Sequence, residues 1–146
     1  MKIFYPIVFI AVILSGCATT SPQAGKDYAF WYEDNPQAGR IDVHFKSLVQ
    51  HQLCLQHETW PTGGKFDAGS PAPVIVIDGT TYHNNDRTHD SGYCPRCAVQ
   101  VAGGKQVDGF IPYADYAIPE SAAHSAKTLV MTPRLTPCEG TAPALG

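Results

Sequence analysis

No apolar run in this 146-residue chain is long enough to cross a bilayer as a helix: the run from Ile3 to Leu14 falls well short of the about 20 residues a span needs. A basic excess is also missing. Lys plus Arg number 10 against 13 Asp plus Glu, so the chain lacks the positive patch that nucleic-acid binding requires, and no nucleic acid is expected as a partner. Catalytic signatures are equally scarce. There is no GxSxG elbow and no HExxH, and the adjacent His89, Asp90 and Ser91 carry little, because a triad is assembled from separated segments. Internal repeats and convincing amphipathic helix patterns are absent too, which argues against repeat and helix-bundle architectures.

What is present begins at the start of the chain. Lys2 precedes the apolar run, which has the length and flanks of a signal-peptide core rather than of a membrane span. It ends at Leu14-Ser15-Gly16-Cys17, a Leu, two small residues and a Cys that together resemble the lipobox of bacterial lipoproteins. The resemblance covers residues 1 to 18. It implies cleavage before Cys17, a diacylglyceryl group on its thiol and a fatty acyl chain such as palmitate on its freed amine. Ala18 is similar to the residue that follows the lipidated Cys in outer-membrane lipoproteins, which implies an outer-membrane anchor with the domain on the periplasmic face, the cell exterior being the alternative. Two or three acyl chains would hold the protein stably, since each buried CH2 contributes about 0.8 kcal/mol. An ordinary secretory peptide with a chance Cys is the alternative.

Removal of residues 1 to 16 would leave 130 residues, enough for one domain, with nine basic against thirteen acidic residues and a net charge of -4. With Cys17 assigned to lipid, Cys54, Cys94, Cys97 and Cys138 remain. An even set in an oxidising compartment predicts two disulfides, with three pairings open.

Residues 17 to 27 have the small, polar composition of a flexible tether, and 139 to 146 that of a frayed tail. Between them, 28 to 138 read as one domain. The aromatic cluster Tyr28, Phe30, Trp31 and Tyr32 predicts a short first strand or a plug on the core. Ile41, Val43 and Phe45 alternate with Asp42, His44 and Lys46, as a half-buried strand requires. Residues 48 to 57 predict a second strand, with a short helix as the alternative, and 62 to 73 a loop. Val74 to Ile77 has the composition of a buried central strand, and Asp78-Gly79 that of a hairpin turn into Thr80 to His83. Ala98 to Ala102, Gly103-Gly104-Lys105 and Val107 to Ile111 predict a second hairpin. A single helical turn is expected after Pro119, and a last strand over 128 to 132. Short strands punctuated by Gly and Pro predict an all-β antiparallel sandwich, immunoglobulin-like and disulfide-stabilised, with a small β-barrel as the alternative.

Three constellations could carry chemistry. The Cys94-Pro95-Arg96-Cys97 motif lies between a polar loop and a strand, without the βαβ surroundings of a redox dithiol, so structural disulfides are expected. His83, His89, Cys94 and Cys97 fall within fifteen residues and have the donor set for zinc or copper, with Asp86 and Asp90 as orienting partners; a periplasmic metal-binding protein is the alternative function. The histidines at 44, 51 and 57 read as exposed or satisfied residues. The third is a recognition surface: the polar loop 84 to 93, tied at its base by cysteines and flanked by Tyr82 and Tyr93, offers His83, Asp86, Arg87 and His89 as contacts. Phe110 through Tyr116 offers further aromatics, which core closure would equally explain. The expectation is a non-enzymatic binding or accessory module for another envelope protein, without metal or cofactor; an envelope enzyme is the remaining alternative.

Overall fold

The computed structural model describes residues 23–24, 27–67, 72–85 and 98–138. All regular structure there is antiparallel β with three short 3-10 turns, and no helix among these residues is long and apolar enough to cross a membrane. The ten strands are β1 (Gln23–Ala24), β2 (Tyr28–Asn35), β3 (Arg40–Ser47), β4 (Leu53–Gln56), β5 (Val74–Ile77), β6 (Thr80–Tyr82), β7 (Ala98–Val101), β8 (Gln106–Pro112), β9 (Lys127–Val130) and β10 (Leu135–Thr136). They form three small sheets, ordered β1-β2-β3-β8, β10-β4-β7 and β6-β5-β9. The fold is all-β, antiparallel and disulfide-stabilised, as the spacing of turn residues predicts.

The largest sheet is built on β3. Its alternation places Ile41, Val43 and Phe45 inward with no exposed surface, and Asp42, His44 and Lys46 outward. A tight turn at 36–39 returns β2 onto it, with Gly39 at φ +64° and the Asn35 side chain accepting the Ala38 amide. The aromatic cluster accordingly lies on a strand: Tyr28 stacks on Phe45 at 4.8 Å and Phe30 is buried. Gln23–Ala24, inside the expected tether, pairs with the other side of β2.

The Asp78-Gly79 hairpin forms as expected, with both residues at positive φ, the requirement of a type I′ turn. Its first strand, β5, is central between β6 and β9. Only Ile75 and Ile77 are fully buried, because one face of the sheet meets the core and Val74 and Val76 lie half-buried on the other.

The expected hairpin over residues 98 to 111 does not exist. Both strands form, but β7 pairs with β4 and β8 with β3, in different sheets. Residues 48–52 and 102–105 turn one shared corner, where Ser47 N donates to Lys105 O and Gly104 N to Val49 O, each at 2.9 Å. Lys46 faces Gln106 before the corner and Leu53 faces Val101 after it. Seven residue steps on one chain thus oppose five on the other, and the extra residues bend the ribbon from one sheet into the next. The same bend shortens the strand expected over 48 to 57 to β4, followed by a 3-10 turn at His57–Thr59.

The core between the sheets contains Phe45, Leu55, Trp60, Ile75, Val101, Ile111 and Leu129. Cys54 and Cys138 close a disulfide across 84 residues, beside the β4–β10 pairing. That bridge overturns the pairings in which Cys54 and Cys138 join the CxxC cysteines. Cys94 and Cys97 themselves, like Cys17, lie outside the described residues.

Candidate functional site

Alternation along β2, β3 and β8 turns a second set of side chains away from the core, and strand register decides which of them meet. Trp31 lies opposite His44, and His44 opposite Asp108; Glu33 lies opposite Asp42, and Asp42 opposite Phe110. Trp31 stacks on the His44 ring at 5.1 Å. His44 Nδ1 and Asp108 Oδ1 are 2.6 Å apart, and because a carboxylate only accepts, this bond places the proton on Nδ1. The His44 bond, helped by Gln106, holds the Asp108 carboxyl below the usual carboxylate range against a smaller opposing effect of burial. His44 Nε2 is sheltered from solvent and has no hydrogen-bond partner among the described residues.

One strand end further on, Arg40 Nε lies 2.8 Å from Asp42 Oδ1 in an ion pair whose geometry is not that of a hydrogen bond, Asn35 Nδ2 donates to the other oxygen at 3.0 Å, and the Arg40 guanidinium lies 5.0 Å from the Phe110 ring centroid. Glu33 directly opposite Asp42 is a like-charge pair, which Arg40 offsets. The Glu33 carboxylate itself is exposed and makes no ion pair among the described residues. Glu33, Arg40, Asp42, His44, Asp108, Gly109 and Phe110 line an open depression of about 330 Å³. A second hollow of about 390 Å³, between Thr59, Ala72, Pro73, Val74, Val130, Met131, Thr132 and Arg134, carries Arg134 as the one ionisable lining residue among the described residues. The first hollow has the denser chemistry.

The loop of residues 57–67 wraps the edge of β8. Pro61 packs against Gly109, Gly64 lies under the Phe110 ring, and Lys65 pairs with Asp115 at 3.2 Å. Within it, His57 Nδ1 bonds Asp67 Oδ2 at 2.9 Å and His57 Nε2 lies 3.2 Å from Thr62 Oγ1.

Of the residues expected to form a recognition loop, Tyr82 is half-buried against the core and not a free anchor, while His83 is exposed just past β6. Asn85 N donates to Asp115 O at 2.7 Å, fastening the loop's first end to the 3-10 turn Tyr113–Tyr116. Asp86, Arg87, His89, Tyr93 and the metal-donor candidates His89, Cys94 and Cys97 lie outside the described residues. Tyr113 and Tyr116 close the core, at 6% and 1% exposure, and are not surface anchors. Among the described residues no three His, Cys, Asp or Glu side chains are arranged to hold a metal.

Sequence reading placed His44 and Asp42 on the outer face of a strand but missed their partners Asp108 and Phe110. The alternation of β8 was the one local signal, and it acquires meaning only through the β3–β8 register. The chain matches no protein family, no curated protein and no solved structure.

Proposed function

We propose that the protein is a lipid-anchored accessory module of the bacterial outer membrane, facing the periplasm, that binds another envelope protein through the outer face of its largest sheet. The anchor rests on Leu14-Ser15-Gly16-Cys17. The binding role rests on one observation, the depression lined by Arg40 and Phe110 with Trp31 stacked on its His44, residue types that dominate protein interfaces, beside a Glu33 carboxylate that makes no ion pair among the described residues.

Two measurements test the two halves. Replacement C17S should release the protein from membranes into the soluble envelope fraction; unchanged membrane retention would remove the anchor. A photo-crosslinking residue at the exposed position 33 should give one discrete adduct in cells, which the R40A and F110A changes abolish and which the same residue at exposed position 81, on β6, does not give. Identical adducts from both positions, or none from position 33, would refute the binding face.

A further inference from the structure

The 57–67 loop goes beyond a binding role, because it lines up three side chains in the order that acyl-transfer chemistry uses. Asp67 Oδ2 accepts the His57 Nδ1 proton at 2.9 Å. In the neutral imidazole that bond fixes the tautomer whose Nε2 carries a free lone pair, 3.2 Å from the Thr62 hydroxyl. The acid and the base are sheltered, with side-chain exposures of 18% and 23%, whereas Thr62 is exposed. An exposed hydroxyl, a sheltered imidazole and a still more sheltered carboxylate are the parts of an activated nucleophile, with bond lengths in the range such sites show.

The backbone after Thr62 adds a second feature. Gly63 and Gly64 have φ of +59° and +81°. Their amides make no hydrogen bond among the described residues, and the space a Gly63 side chain would occupy is empty. The amide that follows a nucleophile is a common donor to the oxyanion of acyl transfer. The turn is also rigidly held. Thr62 and Lys65 exchange both backbone hydrogen bonds, Lys65 is paired with Asp115, and Gly64 is pressed against Phe110, where a Cβ would lie 2.5 Å from the ring. No GxSxG pattern announces this arrangement, since all its members lie within eleven residues of one loop.

We propose that Thr62 is the nucleophile of an acyl-transfer site, with His57 as its base and Asp67 as the residue that positions His57, acting on short esters that reach it from solvent. Thr62 Oγ attacks the ester carbonyl carbon as His57 Nε2 takes the hydroxyl proton. The ester C–O bond then breaks, and His57 returns that proton to the departing alcohol. Water attacks the acyl-threonine by the same proton route, which yields the free acid and restores Thr62. Ester and water are the only reactants, and no oxidation occurs.

The test uses the full lipidated chain in detergent with p-nitrophenyl acetate. Acetyl on Thr62 should be found by peptide mass mapping after rapid quenching. T62A and H57Q should each lower turnover by at least about 100-fold, the scale of a lost nucleophile or base, and T62S, which keeps a hydroxyl there, should restore part of what T62A loses. D67N should lower the rate and displace the pH profile, which a mere loop contact would not do. T62A removes only an exposed hydroxyl, so its unchanged melting temperature separates chemistry from folding. The proposal is overturned if T62A hydrolyses the ester as fast as the parent or if acetyl accumulates only on other residues. It is equally overturned if the parent shows neither turnover nor acetyl on Thr62, whatever H57Q and D67N do to the melting temperature.

Discussion

Lys127 on β9 reaches Asp34 on β2, ninety-three residues away in sequence, with none of its side chain exposed. Its ammonium donates to Asp34 Oδ2 at 2.9 Å, to Ala123 O at 2.6 Å and to Ser125 O at 3.0 Å, so all three protons are used, and it lies 4.6 Å from the Tyr113 ring centroid. This one side chain ties the largest sheet to the β6-β5-β9 sheet and to the 123–125 turn. Removing the cation would strand a mostly buried carboxylate. K127M should therefore cost about 3 to 5 kcal/mol. In a denaturant double-mutant cycle, K127M with D34N should cost clearly less than the two single changes added together. Additive costs would show that the pair is not coupled.

Tyr113 and Tyr116 make the fold sensitive to alkali. Burial, then the hydrogen bond to Asp34 and its charge, push the Tyr113 hydroxyl above its ordinary value near 10. Burial does the same for Tyr116, whose hydroxyl donates to Pro73 O at 3.0 Å. In both cases the folded state holds its proton more tightly than the unfolded chain does. Their contribution to stability is complete below about pH 10 and declines as the pH rises beyond it. Absorbance titration of the tyrosines should show two that ionise only as the protein unfolds, and Y113F should soften the alkaline loss of stability. A single ionisation step near pH 10 with the fold intact would contradict this.

These networks also mark what could be read from the sequence. The β5–β6 hairpin was legible because Asp78 and Gly79 meet a local backbone demand, and β3 was legible because Ile41, Val43 and Phe45 repeat every second residue. Gly103-Gly104-Lys105 misled for the same reason that the hairpin did not: glycines between two strands look alike locally whether the chain reverses or turns a corner. The choice depends on residues 48–52, which pass alongside and have no counterpart in the local pattern. The outer-face site was half legible. His44 declared its face, but its meeting with Trp31 and Asp108 depends on two registers spanning the chain. Thr62, His57 and Asp67 are close in sequence, yet their contact requires the loop path that Pro61 and Gly64 impose around β8.

The Cys54–Cys138 bridge should be the main covalent support of the described domain. Closing a loop of 84 residues restricts the unfolded chain by about 4 to 5 kcal/mol on a chain-entropy account. The C54S/C138S protein should lose about 2 to 5 kcal/mol in denaturant unfolding, with β10 released first, since Thr136 pairs directly with Cys54. Hydrogen exchange at Gln56, whose amide donates to Arg134 O at 2.7 Å, would report that release. An unchanged unfolding midpoint would show that the last strand is held by packing alone.

Two neighbouring glycines at the corner should respond differently to alanine. A Cβ on Gly103 would lie 2.0 Å from the Gln50 carbonyl oxygen, backbone against backbone, so the two chains of the ribbon must separate to admit it. A Cβ on Gly104 would meet nothing within 4 Å, and its cost is the left-handed backbone at φ +68°, about 1 to 2 kcal/mol. G103A should therefore destabilise more than G104A, by about 3 kcal/mol or more against that smaller figure, a severity reserved for overpacking that cannot relax. The amides of Ser47 and Gly104, which donate across the corner, should lose hydrogen-exchange protection in G103A and keep it in G104A. The reverse order would mean that positive φ, and not the close approach to Gln50, is what requires glycine where the ribbon passes from one sheet to the next.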